Sequence, residues 1–121
     1  TTGITLKSGL DASTSLHEQG IEVAVLHIPT IKPLDTNAIT RYADKVSVIV
    51  TIEEHTLMGG LGSAVAEIIA EANFNPAKRF KRIGIPDMFP NEYSSQASLM
   101  KKFSITNEDM VTTIRKLLVQ A

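Results

Sequence analysis

Between residues 50 and 71 the sequence reads VTIEEHTLMGGLGSAVAEIIAE, which places carboxylates, an imidazole and a glycine turn side by side. Glu53, Glu54 and His55 are the residue types of acid–base catalysis. Gly59, Gly60 and Gly62 precede a helical pattern, and the N–H groups of Gly60, Leu61, Gly62 and Ser63 would meet the positive end of that helix, a natural place for an anion. Spacing argues against the sharper form of both readings. Adjacent glutamates on a pleated strand point to opposite sides and cannot easily share a proton or a metal ion. The glycines match neither GxGxxG nor GxxxxGK(S/T), and no lysine follows where a phosphate loop needs one. Catalysis, ligand contact and a sheet-edge cluster that bonds loops or a neighbouring domain all remain open for Glu53, Glu54 and His55, and geometry favours the last. For Gly59 to Ser63, a tight turn with close helix–sheet approach stands beside anion binding.

Other chemistry is thinner. His17 and His27 fall on a helix face and inside a strand, and no His-x-x-His or Glu-x-x-His spacing exists for a metal. Lys78, Arg79, Lys81 and Arg82 alternate around Phe80, as expected of a solvated or interdomain strand edge rather than a nucleic-acid patch. GLGSA lacks the flanking pattern of a GxSxG nucleophile elbow.

These residues need elements to hold them. Leu6, Leu10, Ser13 and Leu16 suggest a weak amphipathic helix ending at Gly20. Residues 21–28 (IEVAVLHI) read as a strand covered on both faces, and Pro29 and Pro33 end it. Asp35 or Thr36 can cap a short helix to about Ala43, and residues 45–52 (KVSVIVTI) form the strongest strand. Leu61, Val65, Ile68, Ile69 and Ala72 make one apolar stripe of a helix, broken at Asn75-Pro76. Residues 79–85 give a third strand and 86–93 a loop. Ser94 or Ser95 can cap a helix to about Phe103, and Thr106 a last helix burying Met110, Ile114, Leu117 and Leu118. Such alternation predicts an α/β fold, three layers α/β/α around a mostly parallel sheet. Three strands are few for this much helix, which implies a further strand before Thr1.

A chain of 121 residues fits one domain, 1–121, and with 43% hydrophobic and 21% charged residues it has an ordinary globular composition. Its net charge of -1 favours neither nucleic acid nor an anionic membrane, and with no cysteine, disulfides and thiolate metal sites are excluded. No apolar run approaches a membrane span, so a cytoplasmic protein is the default expectation. The opening at Thr1 without a methionine reads as a piece of something longer.

Taken in order, GIEVAVLHIPTIKPLD (20–35), VTIEEHTLMGGLGSAVAE (50–67), KRIGIPDMF (81–89) and FSITNEDMVTTI (103–114) resemble the C-terminal domain of transketolase-type thiamine diphosphate enzymes across essentially the whole chain. Relatives in that superfamily include transketolase (in one-chain and split forms), 1-deoxy-xylulose-5-phosphate synthase and the β subunits of 2-oxo-acid dehydrogenases. His55 followed by GGLGSAV is more similar to transketolase. Ser104 takes the place of a usual glycine before the last helix, and Ser95-Gln96 that of an often glycine-containing loop. The resemblance implies a five-stranded sheet whose first strand ends at Thr2-Gly3. It implies a parent enzyme that moves two-carbon ketol units between sugar phosphates, using thiamine diphosphate as electron sink and Mg²⁺. Those cofactors belong to the other domains, so this chain alone is expected to hold no catalytic, cofactor or metal residue and to be inactive. Its expected partners are the other domains or subunit of the parent, within a homo-oligomer, with Glu53, Glu54 and His55 at the interdomain edge. A regulatory module binding an anion or nucleotide on Gly60 to Ser63, and a dehydrogenase β domain docking an acyltransferase core, are the alternatives.

Overall fold

The computed structural model describes residues 1–88 and 95–120. Helix α1 spans Thr5–His17, α2 Thr36–Asp44, α3 Leu61–Glu71, α4 Gln96–Lys102 and α5 Asn107–Val119. Strands β1 (Val48–Thr56) and β2 (Arg79–Ile85) pair in parallel, with Thr51 beside Arg82 and Ile52 beside Ile83. The expected loop at residues 86–93 lies partly, and Ser94 wholly, outside the described residues.

Three helices begin where the sequence offers an oxygen to their first free amides. The side chains of Asp35, Ser95 and Thr106 accept from the backbone N–H of Ala38, Ser98 and Asp109. Apolar side chains then divide between the two faces of the sheet. Ala12, Ile52, Ile83, Ile105 and Met110 join α1 and α5 to one face. Ile28, Ile39, Leu61 and Val65 join α2 and α3 to the other, with Ile68, Ile69 and Phe80 around them. This is the expected three-layer α/β/α arrangement.

Three expectations change. The buried face of α1 is Thr5, Gly9, Ala12 and Leu16 rather than the stripe through Leu6 and Leu10, and Leu10 is half exposed. Small residues let α1 lie close: a Cβ on Gly9 would meet Thr1 Cγ2 at 2.7 Å and Val25 Cγ1 at 3.8 Å. Secondly, β1 starts at Val48 rather than Lys45, and continues through Glu53, Glu54 and His55 to Thr56 with an irregularity in its pairing after Ile52. Thirdly, residues 21–28 form no strand, and Glu22 and Ala24 are exposed. Their β-rich composition is real, but a strand exists only where a neighbour accepts its hydrogen bonds. The described ladder holds β1 and β2 alone.

At Ser104 the backbone turns left-handed, φ 58°, with a serine where glycine would be unstrained. Ser104 is exposed. Ser104→Gly is therefore expected to raise stability by about 0.5–1 kcal/mol. Urea denaturation with an unchanged m-value checks this, and a loss of stability would contradict it.

Candidate functional site

The alternation of β1 separates the paired glutamates. Thr51 and Glu53 face α3, and Glu53 is 1% exposed. Its Oε2 accepts the backbone N–H of Gly62 at 3.0 Å. A carboxylate therefore sits at the N-terminal end of α3, where it meets the helix dipole and satisfies an amide that the helix leaves without an internal partner. The anion that the glycine turn called for is supplied by the chain itself. Glu53 Oε1 and Thr51 Oγ1 are buried with no hydrogen-bond partner among the described residues.

The glycines are shaped to this carboxylate. A Cβ on Gly60 would lie 2.3 Å from Glu53 Oε1, and one on Gly62 would lie 2.8 Å from Thr51 Oγ1 and 2.9 Å from Arg82 Cδ. Gly59 has φ 74°, so it turns the chain rather than making room. Ser63 completes the turn: its hydroxyl donates to Leu57 O at 2.8 Å and accepts from the Gly59 N–H at 3.3 Å. Arg82 Nη1 donates to the same Leu57 carbonyl at 2.7 Å and to Ser63 Oγ at 3.1 Å. Residues 57–63 are thus held from inside by Glu53, Ser63 and Arg82.

Glu54 points away from α3. Both carboxylate oxygens of Glu54 accept from the Gln96 side-chain amide, at 2.8 and 2.7 Å, which ties the first turn of α4 to the sheet edge. His55 is exposed, and its Nδ1 lies 2.8 Å from Thr56 O. No hydrogen bond joins His55 to either glutamate among the described residues, so the three do not assemble a carboxylate–imidazole pair. Met58, 62% exposed, stands on the loop beside them. No group of three His, Asp or Glu able to hold a metal occurs among the described residues.

Sequence reasoning missed Thr51, Arg82 and Gln96. Gln96 carried no signal, because its link to Glu54 spans 42 positions. Arg82 belonged to a basic run expected to face solvent or another domain, yet most of that run bonds internal carbonyls. Lys78 donates to Asp44 O and Val46 O, and Arg79 to Leu117 O and Leu118 O at the end of α5. Only the parallel register, which sets Thr51 beside Arg82, reveals where Arg82 points.

A family model described as "Transketolase, C-terminal domain" matches residues 1–110. The chain belongs to the transketolase C-terminal domain family. A solved split-gene transketolase, described as an inactive β4 tetramer, superposes with a TM-score of 0.86 at 32% identity, over 98% of this chain and 37% of that one. A 6-deoxy-6-sulfo-D-fructose transketolase subunit of Clostridium sp. is 38% identical over 110 residues, 91% of this chain and 33% of its own length. A 1-deoxy-D-xylulose-5-phosphate synthase of Geobacter sulfurreducens is 42% identical over 87 residues, 72% of this chain and 14% of its own. The chain spans about a third or less of these curated relatives. As a transketolase C-terminal domain it carries the glutamate-centred turn just described on the edge of its parallel sheet. Among the described residues no helix is long and apolar enough to cross a membrane.

Proposed function

We propose that this transketolase C-terminal domain is the non-catalytic section of a thiamine-diphosphate-dependent transketolase that transfers two-carbon ketol units between sugar phosphates. Its part is to dock on the remaining domains or subunit of that enzyme. One observation carries the reading. Glu53, the carboxylate best placed for chemistry, is buried and bonded to Gly62 at the start of α3, so the conspicuous motif builds a rigid turn instead of a reaction centre. Glu54, His55 and Met58 are left on the outer side of that turn, where a neighbouring domain would meet them.

The residues present do not fit thiamine diphosphate or its Mg²⁺. The described donor set has no cluster for a metal, and a diphosphate at Gly60 to Ser63 would face the Glu53 carboxylate. The same repulsion weighs against a regulatory phosphate or nucleotide there. The split-gene transketolase structure, an inactive β4 tetramer, supports a section that needs a partner and that forms homo-oligomers. A cytoplasmic place for the parent fits the same reading.

The test is reconstitution. The purified chain, given thiamine diphosphate, Mg²⁺ and ketose and aldose phosphates, is expected to show no turnover. Addition of the remaining sections of the enzyme from the same genome is expected to produce it. Turnover by the 121 residues alone, or none after reconstitution, would overturn the proposal. Deoxyxylulose-phosphate synthase is the second reading, favoured by the 42% identity to that relative. Formation of 1-deoxy-D-xylulose 5-phosphate by the reconstituted enzyme would select it.

A further inference from the structure

The pairing of β1 breaks where its polar cluster begins. Ile52 lies beside Ile83 and Thr56 beside Ile85, so Glu53, Glu54 and His55 stand opposite the single Gly84. A bulge of this kind takes side chains out of simple alternation and re-aims them. Gly84 makes room for it: a Cβ there would meet Leu57 Cδ2 at 2.8 Å, the His55 carbonyl oxygen at 3.0 Å and Glu53 Cγ at 3.2 Å. The ring of His55 is then fixed by its own chain. Its Nδ1 lies 2.8 Å from Thr56 O, and a carbonyl oxygen only accepts, so Nδ1 carries the proton. In the neutral imidazole Nε2 is left as an acceptor, on a side chain that is exposed. No described residue bonds Nε2.

The surroundings of His55 select its partner. Glu54, one residue away, accepts from the neutral Gln96 amide, and no cation pairs with it among the described residues. Met58 and Met88, 62% and 53% exposed, follow the paired ends of β1 and β2. Thioether side chains adapt to the shape of whatever lies on them. This edge therefore offers an acceptor, a negative charge without a cation, and pliable apolar surface. A donor with a positive charge and an apolar stem complements all three. We propose that His55 Nε2 is a binding point for an arginine or lysine side chain of the neighbouring domain or subunit, with Glu54 attracting its charge and Met58 lying along its stem. The contact presupposes that this chain docks on the remaining sections of an enzyme, as proposed above, and its test separates the two.

Two substitutions distinguish the ring nitrogens. Asparagine carries its amide near the position of Nδ1, and glutamine carries its amide near that of Nε2. His55→Asn therefore keeps a donor for Thr56 O and loses the outward acceptor, while His55→Gln keeps the acceptor. Calorimetry reads binding to the remaining sections of the enzyme from the same genome. His55→Asn is expected to weaken it at least about tenfold and His55→Gln to stay within about threefold of the unaltered chain. Glu54→Gln leaves an acceptor for Gln96 but removes the charge, and is expected to weaken binding about threefold or more at low salt and less at high salt. Heteronuclear NMR of the imidazole nitrogens at about pH 8 reads the tautomer, and the proton is expected on Nδ1. A proton on Nε2, or equal losses in the two His55 variants, would overturn the proposal. Unchanged affinity in Glu54→Gln would overturn the cationic partner. Failure of the unaltered chain to bind would reject the docking reading and this contact with it, whereas binding that His55→Asn leaves unchanged would reject the contact alone.

Discussion

Glu53→Ala is expected to lower the unfolding free energy by about 2–4 kcal/mol, whereas Glu54→Ala lowers it by less than about 1 kcal/mol. The residues are adjacent and chemically identical, so the difference isolates what burial does. Removing the Glu53 side chain opens a cavity between β1 and α3 and takes the acceptor from the Gly62 N–H. It also removes the negative charge that complements the α3 dipole. One effect runs the other way. Glu53 Oε1 has no partner in the described structure, and an unsatisfied buried oxygen costs about 1–3 kcal/mol, a burden that alanine does not carry. The lower half of the range is therefore the better expectation. Glu54 sits at the partly exposed edge, and its bonds to Gln96 compete with water. Urea midpoints at constant m-value read both variants, and equal effects would contradict the inward placement of Glu53.

Gly60→Ala is expected to destabilise by about 3 kcal/mol or more, because the new methyl would lie 2.3 Å from Glu53 Oε1, 2.9 Å from Cδ and 3.0 Å from Oε2. That carboxylate cannot simply swing aside, since it is buried and bonded to Gly62. Gly59→Ala supplies the contrast. Nothing lies within 4 Å of a Cβ there, and its φ of 74° alone predicts a loss of about 1–2 kcal/mol. The decisive measurement is a double-mutant cycle. With Glu53 already alanine, the atoms in conflict are gone, and Gly60→Ala is expected to have little further effect, a coupling of about 3 kcal/mol. Additive losses would mean that Gly60 is needed for its backbone conformation and not for the room it leaves.

Much of this arrangement was legible in the sequence. The stripe from Leu61 to Ile69 is a helix packed by Leu61 and Val65, and Asp35, Ser95 and Thr106 cap the helices that their positions suggested. Local signals of this kind survive because the residues that read them are neighbours in the chain. That Glu53 and Glu54 point apart followed from strand alternation as well. Which of them turns inward did not, since alternation is symmetric between the two faces and only the packing of α3 breaks it. Ser104 shows the limit from another side, adopting a left-handed turn that its residue type argues against.

Order, periodicity and spacing of residues were enough for an α/β protein with a glycine turn opening α3 and two carboxylates parted by the pleat. Tertiary structure decided the rest. It set Thr51 beside Arg82, bent a basic run onto internal carbonyls, and left residues 21–28 outside the ladder. Each of these depends on partners tens of positions away. A strand's hydrogen bonds and a carboxylate's burial belong to the pair that makes them, and no single stretch of sequence contains both members.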